Sequence, residues 1–154
     1  MRIRSRWANF MRLSGVQKRV LLAAWVALPW VWLGLVLLGL PRLRTLLRRL
    51  SPAGRVPVSV SLPDMLAWGV AVNTAARYTP FRATCLTRSL VLEWLLHRRG
   101  IASELRIGVR MAGGLLDAHA WVEHEGTPVN DRPDVASQYA PFAAHVALSA
   151  FETS

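Results

Sequence analysis

The stretch Thr84–Gly100, TCLTRSLVLEWLLHRRG, decides the fold that the sequence predicts. Large apolar side chains recur every four residues from Leu86 to Trp94, and the leucines and valines between them widen the apolar stripe. This pattern predicts a largely buried helix. Two arginines before Gly100 suit the negative end of such a helix, and the glycine is a typical terminator. Cys85 is therefore expected at the helix N-terminus.

A helix N-terminus is a chemically special position for a cysteine. Backbone N–H groups and the helix dipole stabilise an anion there, so the position favours the thiolate of Cys85. The alternative is a small buried apolar residue, which is the usual role of a free cysteine. Because the chain contains one cysteine, an intramolecular disulfide and a cysteine-only zinc site are excluded.

The segments after the helix predict strands. Residues 104–110, ELRIGVR, alternate in hydropathy, and residues 118–131, AHAWVEHEGTPVND, are typical of a hairpin that turns at Glu125-Gly126. A helix followed by antiparallel strands is an α+β arrangement that can place a thiolate beside the imidazole of His119. Asp131 would then orient the other ring nitrogen. Asn130 remains an alternative for that role.

The other histidines and carboxylates form no metal-ligand pattern, because neither HxxxH nor HExxH occurs. His97 is expected to cap a helix end, His124 to be solvent-exposed beside the turn, and His145 to lie in the tail. Asp117 is expected in the turn between the strands. The sequence therefore predicts no metal and no cofactor.

The charge is distributed unevenly along the 154 residues. Residues 1–55 carry 11 of the 19 basic residues and no acidic one, whereas residues 56–154 carry 8 basic and 9 acidic residues. The excess charge thus coincides with an apolar segment, which disfavours nucleic acid as a partner and favours a membrane or a docking surface. Hydrophobic residues make up 53% of the chain, which excludes general disorder. We divide the chain into a basic, apolar helical region, 1–55, and a domain, 56–154, with a linker over 51–62.

Residues 20–40, VLLAAWVALPWVWLGLVLLGL, form an uncharged run long enough to cross a bilayer. Three arrangements remain open: packing against the domain or a partner, spanning a membrane, and lying on its surface. Packing is favoured, because tryptophans lie inside the run rather than at its ends and Pro29 is expected to kink a helix. The following segment, Arg42–Leu50, predicts a helix with an arginine-rich face for solvent, anionic lipid or an acidic partner.

Several of these motifs together resemble a known family. The Cys-Leu-x-Arg-Ser-Leu helix start, the Arg-Arg-Gly-Ile exit, the Ile-Gly-Val-Arg strand, the Ala-His-Ala-Trp-Val-Glu strand and the Tyr-Ala-Pro-Phe stretch at 139–142 are similar to those of the leader peptidase of lasso-peptide biosynthesis. This is the transglutaminase-like half of the B protein in pathways where that protein is split into two chains. The resemblance covers roughly residues 62–142.

The resemblance implies a papain/transglutaminase-like core with Cys85 as nucleophile, His119 as base and Asp131 as the third residue. It also implies a cytoplasmic peptidase that removes the leader from a precursor peptide. The implied partners are a separate leader-binding protein and an ATP-dependent, asparagine-synthetase-like cyclase, with a membrane contact through residues 1–55 left open. Two other functions compete: a membrane-associated, non-catalytic adaptor of the same fold, and an acyltransferase that uses the same three residues.

Overall fold

The computed structural model describes residues 14–51 and 60–142. In chain order, these residues form three long helices, four strands and one short helix: α1 Gly15–Leu50, α2 Leu62–Ala76, α3 Cys85–His97, β1 Glu104–Ala112, β2 Leu115–His124, β3 Thr127–Pro128, α4 Val135–Gln138 and β4 Ala140–Pro141. The strands form one antiparallel sheet in the order β3-β2-β1-β4. The predicted α+β class is confirmed.

Helix α1 begins at a capping box. The Ser14 hydroxyl accepts from the backbone N–H of Gln17, and the Gln17 side chain accepts from the Ser14 N–H. Helix α1 is not interrupted at Pro29, where a kink was expected, and the one residue with non-helical backbone angles inside α1 is Gly39, at φ 72° and ψ 170°. Glycine has no Cβ and adopts a positive φ readily, so it absorbs the break two residues before Pro41.

One hydrophobic core joins α1 to the rest of the fold. Val20, Ala24 and Leu28 of α1 pack in the same cluster as Val72 of α2 and Leu90 of α3. One face of α1 therefore packs against the domain, which is the arrangement that the sequence favoured. The predicted linker lies mostly outside the described residues, at 52–59, and the division at residue 55 stays a prediction.

Two arginines of the arginine-rich face of α1 form ion pairs within the fold. Glu93 of α3 is buried, and its carboxylate accepts from Arg44 at 2.6 Å and lies 3.4 Å from a guanidinium nitrogen of Arg48. A buried carboxylate needs such partners because desolvation penalises the charged form. The prediction that these arginines face solvent, lipid or a partner is therefore wrong for Arg44, whose side chain is about two-thirds buried, whereas Arg48 remains mostly exposed.

Strands β1 and β2 are longer than predicted, and their observed positions correct two further expectations. Asp117 lies within β2, not in the turn, and pairs across the hairpin with Arg110. The turn itself is Gly113-Gly114, where both residues have positive φ. His124 is half-buried rather than exposed, because its ring Nδ1 lies 2.6 Å from the Ala102 carbonyl oxygen. His145 lies outside the described residues.

Candidate active site

Cys85 occupies the first position of α3. Thr84 is the N-cap, and its hydroxyl accepts from the backbone N–H of Thr87 at 3.3 Å. The first N–H groups of any α-helix lack intrahelical partners, so the half-buried thiol of Cys85 lies where backbone donors and the helix dipole favour an anion. The predicted position of the cysteine is therefore the observed one.

His119 and Asp131 are in direct contact. His119 Nε2 lies 2.6 Å from Asp131 Oδ2, and both side chains are roughly three-quarters buried. The other carboxylate oxygen, Oδ1, accepts from the backbone N–H of Arg132 at 2.8 Å, which fixes the carboxylate plane. Because Asp131 engages Nε2, the nitrogen that remains for chemistry is Nδ1.

These three residues line one cleft. The cleft has a volume of about 390 Å³, and its walls include Cys85, His119 and Asp131 together with Asn73 and Arg88. Leu66 and Val70 of α2 form an apolar wall. A thiol, an imidazole and a carboxylate around one cavity are the groups that a cysteine nucleophile and its base use.

A larger cleft, about 470 Å³, lies at the other end of α3. It contains no thiol, since Cys85 is the one cysteine of the chain. Its buried carboxylate, Glu93, is already paired with Arg44. The smaller cleft is therefore the candidate active site.

Asn130, the alternative to Asp131 for orienting His119, uses both polar atoms of its side chain in other hydrogen bonds. Its Oδ1 accepts from the Val122 N–H at 2.8 Å and its Nδ2 donates to Ser89 Oγ at 2.9 Å. Ser89 in turn donates to the Ala120 carbonyl at 3.0 Å. This network joins α3 to β2 and to the segment that carries Asp131. Ser89, which sequence reasoning missed, lies four residues after Cys85 and thus on the same helix face.

Asn73 and Arg88 add polar groups to the cleft. Asn73 Nδ2 donates to the Asn130 carbonyl at 2.9 Å, and the Arg88 Nη1 lies 3.5 Å from Asn73 Oδ1. Arg88 Nε donates to the Thr84 carbonyl at the start of α3. Arg88 is half-buried and lines the cleft.

Aromatic side chains hold the outer side of the imidazole. The ring of Tyr139 lies 5.2 Å from that of His119, and the ring of Trp121 lies 6.2 Å away. The Tyr139 hydroxyl donates to Asp117 at 3.0 Å. Hydrogen bonds from Arg110 and then from Tyr139 hold the pKa of the Asp117 carboxyl below its usual range. The Tyr-Ala-Pro-Phe motif was the sequence signal for this tyrosine.

We expect Tyr139→Ala to slow alkylation of Cys85 by iodoacetamide at neutral pH by about 10- to 100-fold, because a misplacement of a catalytic group by about 1 Å costs on the order of 10²-fold. Tyr139→Phe keeps the ring against His119 and is the matched control, expected to stay within about 3-fold of wild type on the same argument. The rate is followed against pH by mass spectrometry. An equal loss in both variants would assign the effect to the hydroxyl and not to ring packing.

Among residues 14–51 and 60–142, no group of three or more metal-ligating side chains could hold a metal ion.

Comparisons with known proteins show what the chain is similar to. The family model described as the transglutaminase-like superfamily matches residues 22–144. The microcin J25-processing protein McjB of Escherichia coli is 36% identical over 63 residues, which are 41% of this chain and 29% of that protein. The match thus spans less than a third of the length of that curated relative. No solved structure matches significantly.

Proposed function

Because the chain belongs to the transglutaminase-like superfamily, as the match over residues 22–144 shows, we propose that it is a cysteine peptidase. Its substrate is a ribosomally made lasso-peptide precursor, from which it removes the leader before macrolactam formation. The observation that carries the proposal is the shared cleft of Cys85, His119 and Asp131 with the 2.6 Å His–Asp contact. The similarity to a microcin J25-processing protein supports the substrate class.

The proposed first half-reaction is acylation. His119 Nδ1 takes the thiol proton, and the sulfur of Cys85 attacks the carbonyl at the leader–core junction to form a tetrahedral oxyanion. The backbone N–H of Cys85 donates to that oxyanion, and the Asn73 amide has a second N–H in the same cleft. The His119 imidazolium then protonates the leaving amine, the C–N bond breaks, and a thioester to Cys85 remains.

The second half-reaction is hydrolysis. His119, now neutral, removes a proton from water, and the hydroxide attacks the thioester carbonyl. The C–S bond breaks, the leader leaves with a carboxylate, and the thiol regains its proton. Asp131 holds the ring tautomer and stabilises the imidazolium in both halves. If an amine replaces water, the same thioester yields an amide, which is the acyltransferase alternative.

The test is incubation of the full chain with the precursor and a leader-binding protein, read by mass spectrometry. Hydrolysis gives two peptides whose masses sum to the precursor plus one water. A leader joined to an added amine would support acyl transfer instead. An intact precursor with every candidate partner present would support the non-catalytic adaptor. In the proposed pathway, the freed core peptide passes to the ATP-dependent cyclase.

The division of labour between Asp131 and Asn130 gives a further prediction. Asp131→Asn removes the negative charge opposite the imidazolium and should lower kcat by about 10²-fold, with an unchanged melting temperature because the side chain keeps its shape. Asn130→Ala leaves the Val122 N–H without its partner and should destabilise the fold by about 1–3 kcal/mol. Cleavage kinetics and thermal unfolding on both variants check this. A rate loss confined to Asn130→Ala, with normal melting, would transfer the orienting role to Asn130.

A further inference from the structure

Helix α1 has one face buried in the core and one face exposed to solvent. Among the described residues, it is the one helix long and apolar enough to cross a membrane, by length and composition only. Its packed face contributes Val20, Ala24 and Leu28 to the core. The other face is a stripe of large apolar side chains at helical spacing, which we call the exposed stripe: Leu22, Trp25, Val26, Trp30, Val36 and Leu37. Trp30 and Leu37 are about 70% exposed, at 71% and 70%.

The packed face determines how α1 can meet a membrane. A helix that crossed the bilayer would have to leave the core shared with α2 and α3, or else draw Glu93 and its arginines into hydrocarbon. Both are costly, since the core residues are buried and charged groups are strongly disfavoured at the bilayer centre. A helix that lies along the surface keeps its core contacts and covers only the exposed stripe.

The chemistry of the exposed stripe fits lipid better than protein. Between Val20 and Leu40, every side chain is apolar apart from the indole nitrogens of the tryptophans. Protein interfaces carry about one hydrogen bond per 100–200 Å², and this face has little to offer for that purpose. Long apolar runs of this kind, exposed on a soluble surface, are rarely tolerated without a partner.

Positive charge on both sides of the exposed stripe also favours an anionic membrane. Exposed arginines bracket the exposed stripe, with Arg19 before it and Arg42 after it. Residues 1–55 contain no acidic side chain that would oppose an anionic surface. Arg44 and Arg48 instead form ion pairs with Glu93. An exposed apolar face flanked by basic residues favours binding to an anionic membrane surface, since both apolar burial and charge contribute to such binding.

We propose that the exposed stripe of α1 inserts into one leaflet of an anionic bilayer, with the helix parallel to the surface and the domain on the aqueous side. The stripe from Leu22 to Leu37 is about 22 Å long at 1.5 Å per residue. This binding mode does not depend on the proposed peptide cleavage.

The test is flotation of the full chain with vesicles of phosphatidylcholine alone or mixed with phosphatidylglycerol. Trp30→Gln/Leu37→Gln removes the two most exposed large side chains of the stripe and should lower the bound fraction on mixed vesicles at least about 10-fold. Leu115→Gln/Leu116→Gln is the matched control, because these side chains are equally exposed, at 75% and 66%, on the β1–β2 hairpin. It should bind like wild type, and both variants should melt normally.

Three results would overturn the proposal. Equal binding by the two double variants would show that the exposed stripe is not the contact. Exposure of the two ends of α1 on opposite sides of sealed vesicles, read by limited proteolysis, would show a spanning helix. Absence of binding to either kind of vesicle would show that the exposed stripe does not bind lipid. A stoichiometric complex with a purified pathway protein, lost in Trp30→Gln/Leu37→Gln, would then identify the stripe as a protein interface. Binding that is stronger on mixed vesicles and weakened by salt supports the proposal.

Discussion

Cys85→Ala should reduce release of the leader by at least about 10³-fold while leaving the fold intact, because removal of a nucleophile leaves only binding and oxyanion stabilisation. The thiol is half-buried at the first position of α3, where an alanine is well accommodated. We therefore expect the melting temperature to fall by no more than a few degrees, which corresponds to about 1 kcal/mol. The measurement combines the mass-spectrometric cleavage assay with thermal unfolding of the same preparation.

The controls separate loss of chemistry from loss of structure. His119→Ala should lose a similar factor, and the double variant should be no worse than either single variant, since nucleophile and base act as one unit. Cys85→Ala should also abolish labelling by iodoacetamide, because the chain has one cysteine. Continued leader release by a pure Cys85→Ala preparation would remove this residue from the mechanism and with it the proposed peptidase.

The sequence predicted the parts of the site that depend on local patterns. The apolar stripe and caps around α3 placed Cys85 at a helix start, and alternation placed His119 on a strand that faces it. What it missed depends on the chain folding back over long distances. Helix periodicity cannot reveal that Glu93 is buried, because its partners Arg44 and Arg48 come from a helix more than forty residues earlier.

The choice between Asp131 and Asn130 shows the same limit. The two are adjacent, and alternation along a strand leaves open which of them faces the histidine. Only the pairing of Asn130 with Val122 and Ser89 turns the neighbouring carboxylate toward His119. In the same way, Tyr139 was visible as part of a motif, but its packing on the imidazole required the register of β4 against β1.

Gly69 lies where α2 meets the segment that carries Val129, Asn130 and Asp131. A Cβ built on Gly69 would come 1.9 Å from the Val129 carbonyl oxygen and 2.9 Å from the Asn130 Cα. Both neighbours are backbone atoms, so no side chain can rotate away. Helix α2 therefore packs directly on the segment that ends in Asp131, and only glycine permits this approach.

Gly69→Ala should destabilise the protein by about 3 kcal/mol, since overpacking against rigid neighbours costs typically 1–3 kcal/mol and more when the backbone must move. Thermal unfolding should then fall by roughly 6–12 °C for a chain of this size. Helix propensity alone predicts the opposite sign, because alanine is favoured over glycine inside a helix by about 1 kcal/mol. Gly15→Ala on α1, where nothing lies within 4 Å of the new Cβ, is the matched control and should be neutral or slightly stabilising.

Gly69→Ala should also lower the rate of leader release. Moving Val129 and Asn130 away from α2 displaces Asp131 from His119, so leader release by Gly69→Ala should fall by about 10²-fold even at temperatures where the protein remains folded. Cleavage measured well below the melting transition, alongside iodoacetamide labelling of Cys85, distinguishes this from unfolding. A Gly69→Ala protein that melts like wild type would show that α2 and the Val129 segment do not pack at this distance. Normal melting with lost cleavage would place the effect on the substrate side of the cleft, where Leu66 and Val70 of the same helix form the apolar wall.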